Sequence, residues 1–341
     1  MNLKQLSAHL GLSQTTVSRA LNGYPEVNAV TRERVEQAAR TFGYQPNRRA
    51  RSLATGQAMA IGHVIPGRFQ HELHNPIFGD FIAGAGQLYA DHGYDLMLTF
   101  VGQRQELDVY RELHGRGAVD GVIVQGPRMT DERIERLTEI GMRFVVHGRS
   151  TNSSVPYSWV DMNNERAFER ATEYLIGLGH RRIGLINGLE TLDFAHRRRR
   201  GFCAALKTAG ITPEPELMTS AEMTETYGYE TTVRMLAAPK PPTAIVVSSM
   251  PAAFGVRLAI ENAGLVMGRD ISVVTHDDDL SYLRNDGDTP AFTATRSSAH
   301  EAGRMCAEIL IAQLRSKQTE PVHKMLEAEF VIGRSTGPAP E

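Results

Sequence analysis

Cysteine is almost missing from this chain: Cys203 and Cys306 are the only two among 341 residues. So few thiols, so far apart, exclude a disulfide framework and any thiolate metal site, and suit reduced side chains in a cytoplasmic protein. Long apolar runs are missing too. None approaches the ~18 residues that a membrane-spanning helix needs, so no membrane contact is expected. The opening "MNLKQLSAHL" lacks the charged stretch followed by an apolar core that marks a secretory signal. The common catalytic motifs are absent as well. There is no Gly-x-x-x-x-Gly-Lys-Ser/Thr phosphate loop and no Gly-x-Ser-x-Gly elbow. "HELH" at 71–74 spaces its histidines at i, i+3, not at the His-Glu-x-x-His interval of zinc proteases. "HDDD" at 276–279 has no second acid that can be placed opposite it, and "GAG" at 84–86 sits inside a helical pattern as a packing feature. No enzyme, cofactor or metal is expected.

The chain is 41% apolar and 22% charged, the composition of a well-packed soluble protein of two or three domains. Its net charge of −2 hides an asymmetry. Residues 1–60 hold eight Lys/Arg against three acids, a local +5 that leaves −7 on residues 61–341. A small anion-binding module joined to an acidic body fits that division.

Within the basic module, Leu3, Leu6 and Leu10 mark an amphipathic first helix that Gly11 can end. Ser13 can cap a second helix running to about Leu21, before the Asn22-Gly23 turn. Thr31 can cap a third, with Val35, Ala38, Ala39 and Phe42 as its stripe, stopped by Gly43 and Pro46. Two short helices around a Gly-containing turn, braced by a third, make a helix-turn-helix. The second helix, "LSQTTVSRALN" at 12–22, buries Val17, Ala20 and Leu21 and leaves a face of hydrogen-bonding groups. Such a helix lies in the DNA major groove. Gln14 and Thr15 can bond base edges, and Arg19 can fork onto guanine. Thr16 and Ser18 suit phosphate oxygens, and Asn22 is grouped with them as a DNA contact. A solvated helix in an ordinary bundle would explain neither this face nor the local charge.

The next segment, "YQPNRRARSLATG" at 44–56, reads as a linker containing a short helix from Asn47 to Ala54. A helix that short forms only when docked. Arginines such as Arg51 in the minor groove, with Leu53 wedged between base steps, would bend DNA.

"LSQTTVSRALN", "YQPN", "ARSL" and the later "GHRRIG" together resemble the lactose-repressor/galactose-repressor (LacI/GalR) family. The resemblance implies that Gln14, Thr15 and Arg19 read bases. It implies that Leu53 intercalates at the centre of a near-palindromic double-stranded operator, and that the protein binds DNA as a homodimer. It implies a cytoplasmic regulator, closest to those of α-glucoside uptake operons, switched by a small sugar. Whether the sugar acts as inducer or co-repressor stays open.

From Ile61 the chain alternates apolar strands with helices. Strands are expected at 61–65, 94–101, 121–126 and 144–148, then at 182–188, 244–249 and 271–277, with helices such as Phe78–His92 and Ala195–Gly210. Continuous apolar strands alternating with helices mean parallel sheets covered on both faces. The expected fold class is thus an all-α helix-turn-helix domain plus an α/β domain of two doubly wound parallel-sheet lobes. The family's version of that domain is periplasmic-binding-protein-like. Boundaries are expected at 1–46, 47–60 (hinge helix and linker) and 61–341. The amino-terminal lobe would hold about 61–161 and 292–320, and the carboxy-terminal lobe about 162–291 and 321–332.

Doubly wound lobes bind ligands outside the carboxyl ends of their strands, here the cleft between lobes. Asp193 and Phe194, opening a helix after the strand that ends near Gly188, can bond a sugar hydroxyl and stack on a ring. The family resemblance assigns Arg198 and Asp277 to the effector, with Phe78 and Arg149 as pocket positions of the other lobe. Trp159 can stack on a sugar or serve packing. The chain departs from the family at Ser249-Met250, where an amide or acid followed by Asp is usual; Ser249 is kept as a ligand contact, while Met250 cannot accept hydrogen bonds. The tail "FVIGRSTGPAPE" lacks leucine heptads, which favours a dimer over a tetramer. The alternative function, a sugar-binding transport receptor, would require a signal peptide and no basic module.

Overall fold

The computed structural model describes residues 1–44, 56–66, 75–102, 105–316 and 320–340. The expected hinge helix, with Asn47, Arg51 and Leu53, and the "HELH" segment lie outside them. The chain divides into a small unit, Met1–Met59 with Gly117–Val119, and a larger one, Ala60–Arg116 with Asp120–Glu341.

The small unit holds α1 (Leu3–Leu10), α2 (Gln14–Leu21) and α3 (Ala29–Thr41). Asn2 and Gln5 form a reciprocal capping box on α1, and Gly11 ends it at φ +63°, a left-handed conformation that glycine adopts without strain. Ser13 Oγ accepts from the Thr16 amide, as the cap of α2. The start of α3 differs from expectation. Asn28, not Thr31, is the cap: its side-chain oxygen accepts from the Thr31 amide at 2.8 Å, which puts Thr31 inside the first turn. Leu6, Leu10, Val17, Ala20, Val27, Val35 and Ala39 form the core. Phe42 stays outside it, edge-on against the His9 ring.

The larger unit runs β1 (Ala60–Ile65), α4 (Pro76–Asp91), β2 (Asp95–Phe100), α5 (Glu106–Gly115), β3 (Gly121–Gln125), α6 (Glu132–Glu139), β4 (Arg143–His147) and β5 (Ser158–Met162). It continues through α7 (Asn164–Gly177), β6 (Ile183–Asn187), α8 (Asp193–Thr208), β7 (Met218–Ser220), α9 (Glu225–Leu236), β8 (Ala244–Val247) and α10 (Met250–Asn262). The last elements are β9 (Ser272–Asp277), β10 (Thr293–Arg296), α11 (Ala299–Arg315), β11 (His323–Leu326) and β12 (Glu329–Val331).

Two six-stranded sheets result, ordered β11-β5-β4-β3-β1-β2 and β12-β10-β9-β8-β6-β7. All pairings are parallel except β10 with β12. Read from the other edge, both sheets open 2-1-3-4-5, the doubly wound order whose ligand crevice lies beside the first strand. The central strands β1, β3, β6, β8 and β9 are buried almost throughout, as parallel strands covered by helices must be.

Two expected lobe assignments are corrected. Residues 293–296 pair with β9 and belong to the second sheet, not the first. Residues 323–326 pair with β5 and belong to the first, not the second. The chain therefore crosses between lobes after β5, between β10 and α11, and between β11 and β12. Short strands near crossings carry a β pattern but no signal for which sheet they join. Strand β2 also departs from a doubly covered strand: Leu96, Leu98 and Phe100 share one face of a sheet edge and are exposed at 37%, 40% and 52%.

Candidate functional site

The exposed face of α2 carries the first set of candidates. Val17 and Ala20 are buried, while Gln14, Thr15 and Arg19 are exposed and Thr16 and Ser18 half-buried. Thr16 shares a 2.9 Å hydroxyl–hydroxyl hydrogen bond with Ser13 at the helix start. Asn22 turns inward: its amide donates to the Ser18 carbonyl at 2.8 Å and fastens the end of α2.

The second set surrounds a cavity of about 470 Å³ between the two sheets. One wall comes from the first lobe: His63 and Pro66 on and after β1, Phe78 and Phe81 on α4, Gln125 on β3, His147 on β4, and Asp161 with Asn164 around the β5–α7 junction. The other comes from the second lobe: Phe194 and Arg198 on α8, Met223 before α9, and His276 and Asp278 at the end of β9.

Arg198 organises the second wall. Its Nε donates to Asn164 Oδ1 at 2.7 Å and its guanidinium to the Ser248 carbonyl at 2.6 Å. The guanidinium carbon lies 4.9 Å from the ring centres of both Phe168 and Phe194. Burial lowers its pKa to about 10, and the group stays cationic near neutrality. Asp278 Oδ1 lies 3.5 Å from His276 Nε2, and its buried Oδ2 has no hydrogen-bond partner among the described residues. Burial pushes the Asp278 carboxyl up to about 7 despite Arg198 nearby. His276 is held well below its ordinary value, by burial and then by Arg198. Burial lowers His63 to about 3 and His147 to about 4. All three imidazoles are neutral at pH 7.

Phe78, Phe194 and Arg198 line the cavity; Asp277, Arg149, Trp159, Asp193 and Ser249 do not. Asp277 faces away, its Oδ2 accepting from Arg296 Nε at 2.9 Å and its Oδ1 from the Asp279 amide. Side chains alternate across a strand, so His276 and Asp278 reach the cavity and Asp277, between them, takes the opposite side. Arg149 stands behind the wall, donating to Asp161 Oδ2 at 2.7 Å and lying over the Trp159 ring. Trp159 is itself stacked on His323 at 4.8 Å, a packing role. Asp193 is buried between lobes, accepting from the Thr151 amide at 2.6 Å and pairing with Arg197. Ser249 is the buried cap of α10, and Met250 fills the second lobe's core, leaving Pro251 at the wall.

His63, Gln125, His147, Asp161 and Asn164 are cavity residues to which the sequence did not point, while Asp278 stands in the "HDDD" strand end without a signal to choose it over Asp277. "IGHVI" and "FVVHG" did carry a signal, a histidine inside an otherwise apolar parallel strand. Among the described residues, no cluster of three or more His, Cys, Asp or Glu could hold a metal ion. No helix among them is long and apolar enough to cross a membrane.

Comparison with known proteins places this geometry. Residues 3–47 match bacterial regulatory proteins of the lacI family, and residues 172–336 match a periplasmic binding protein-like domain. The chain is 44% identical to the HTH-type transcriptional regulator AglR of Rhizobium meliloti, over 100% of this chain and 96% of that one. It is 34% identical to the HTH-type transcriptional regulator RafR of Escherichia coli, over 81% and 82%. Among solved structures, a complex of the transcriptional regulator CelR with cellobiose is 27% identical with a TM-score of 0.71, over 98% and 99% of the two chains. The lac repressor dimer bound to operator and the anti-inducer ONPF is 25% identical with a TM-score of 0.80, over 97% and 98%.

Proposed function

The chain belongs to the lacI family of bacterial regulatory proteins, and from that premise we propose that it is a cytoplasmic, homodimeric repressor released from or fastened to its operator by a neutral sugar held between the lobes. One observation carries the effector class: the cavity wall is mainly apolar, with a few polar side chains set into it. Its imidazoles are neutral, the Asp278 carboxyl sits near its titration point, and Arg198 is already engaged by Asn164, Ser248 and two aromatic faces. Hydroxyls suit such a wall, and the rings of Phe78 and Phe194 suit the apolar face of a pyranose. A sugar phosphate would bring charge that no free cation among the described lining residues answers. CelR, 27% identical, takes cellobiose in its solved complex, which supports a sugar here. Relatives named as regulators support a binding protein without catalytic turnover.

DNA binding is assigned to the basic amino-terminal unit, with Gln14, Thr15 and Arg19 facing base edges. Thr16 and Ser18 would face phosphates, and Asn22 would hold the helix end. The dimer is supported by the exposed apolar row of β2, an edge that a second copy would cover. Fluorescence anisotropy on a near-palindromic duplex tests the whole reading. Log affinity is expected to fall by about 0.9 per log salt for each phosphate neutralised, and a neutral sugar is expected to change that affinity. Absence of duplex binding at low salt would refute it.

A further inference from the structure

Among the described residues, two buried polar atoms on the first-lobe wall have no hydrogen-bond partner: His63 Nδ1 and Gln125 Nε2. His63 sits within β1, among Ile61, Val64 and Ile65, and is 1% exposed. Its Nε2 shares a 2.9 Å hydrogen bond with the Tyr89 hydroxyl, which fixes the ring. Phe81 stands between it and His147, with ring centres 6.3 Å from the one and 4.5 Å from the other. A neutral imidazole with a bare nitrogen is poor core material. Leucine would fill the same space without a polar atom to desolvate. On the opposite wall, Asp278 Oδ2 is also unpartnered. Phe78 and Phe194 line the same cavity. The cavity's 470 Å³ lies within the ~300–1,000 Å³ of sites that hold small organic ligands.

We propose that His63 and Gln125 form a specificity subsite for a second ring of the effector, so that the cavity selects neutral disaccharides over monosaccharides. The proposal rests on the sugar reading above and adds to it the size of the ligand and the residue that measures it. A ligand hydroxyl both donates and accepts. It therefore satisfies His63 Nδ1 in either tautomer, and its oxygen can accept from the Gln125 amide. The first ring lies against Phe194 and Arg198 with a hydroxyl on Asp278. The second lies against Phe81 with a hydroxyl on His63 and Gln125.

The test is calorimetric titration of the full chain with glucose, maltose, trehalose and sucrose, for the wild type, His63→Leu and His63→Gln. At least one disaccharide is expected to bind the wild type tenfold or more tightly than glucose. His63→Leu is expected to lose tenfold or more of that affinity, a larger loss than it shows for glucose. His63→Gln, which keeps a hydrogen-bonding group, is expected to recover part of the loss. Thermal melts of both variants within a few degrees of the wild type separate this from misfolding. Disaccharide binding unchanged in His63→Leu, or glucose binding the wild type as tightly as every disaccharide, overturns the subsite alone. If none of the four sugars binds, the sugar-effector reading falls, and the subsite with it.

Discussion

Adjacent acids at the end of β9 have opposite fates, and the difference yields a pH prediction. Asp277 is tied to Arg296, whereas Asp278 faces the cavity with one oxygen unbonded. Burial raises the Asp278 carboxyl to about 7, above the ~3.9 of an aspartate in an unfolded chain. Below pH ~4 both states carry the proton, and the group costs nothing. Between pH 4 and 7 the unfolded chain has released a proton that the folded chain keeps, so stability falls as pH rises. Each pH unit across that window removes at most ~1.4 kcal/mol. Asp278→Asn has nothing to release. Its stability relative to the wild type is expected to increase by about 1–3 kcal/mol between pH 4.5 and 7.5, read as a widening gap in melting temperature. A gap that stays constant with pH counts against it. This choice between neighbours was beyond the sequence: "HDDDL" shows three acids, and only the phase of the strand says which one reaches the cleft.

Helices and strands were largely legible, because their signals are local. The α2 stripe, the Ser13 cap and the Gly11 stop each involve residues within four positions of one another, and the apolar runs of β1, β3, β6, β8 and β9 mark central parallel strands. What escaped were β10 and β11, whose sheet is fixed by distant partners, and the start of α3, where Asn28 and Thr31 compete as caps. "GAG" at 84–86 was legible as packing, and the structure gives the reason. A Cβ on Gly84 would lie 2.0 Å from the His300 carbonyl oxygen on α11, and one on Gly303 of α11 would lie 2.0 Å from the Phe81 carbonyl oxygen on α4. The two helices thus approach through reciprocal glycines, and α4 carries Phe78 and Phe81 into the cavity. Gly84→Val is expected to force them apart and cost about 3 kcal/mol or more, above the ~1–3 kcal/mol of ordinary overpacking, because backbone must move. Denaturant melts read this directly. Gly86→Val, one turn-face away with nothing within 4 Å of its Cβ, is the control and should cost about 1 kcal/mol or less. Equal losses in the two variants would remove the helix-approach explanation.

Across the whole molecule, polar contacts tie the lobes on more than one side of the cavity. Asp80 of α4 accepts from both the amide and the hydroxyl of Ser281, each at 2.7 Å. Elsewhere the Asp193 amide donates to the Pro127 carbonyl at 2.9 Å, and Arg197 donates to the Thr151 hydroxyl at 2.8 Å. A ligand that spans the cavity favours the arrangement in which these contacts close, but only by the difference between its affinities for closed and open lobes. For that difference to reach DNA, the lobes must move relative to something fixed, which in the proposed dimer a second subunit would supply. The exposed Leu96, Leu98 and Phe100 of β2 belong to the lobe that follows the DNA-binding segment in the chain, so a dimer closed there couples lobe movement to the spacing of two reading helices. Leu98→Glu places a charge in the middle of that row without touching the cavity. Sedimentation is expected to show a monomer at concentrations where the wild type is a dimer. Operator affinity should fall a hundredfold or more, because each half-site must then be bound without the help of its partner. Sugar affinity should stay within about threefold, since Leu98 does not line the cavity. A Leu98→Glu protein that sediments as a dimer would move the interface off β2, and one that is monomeric yet binds operator at full strength would separate dimerisation from DNA recognition.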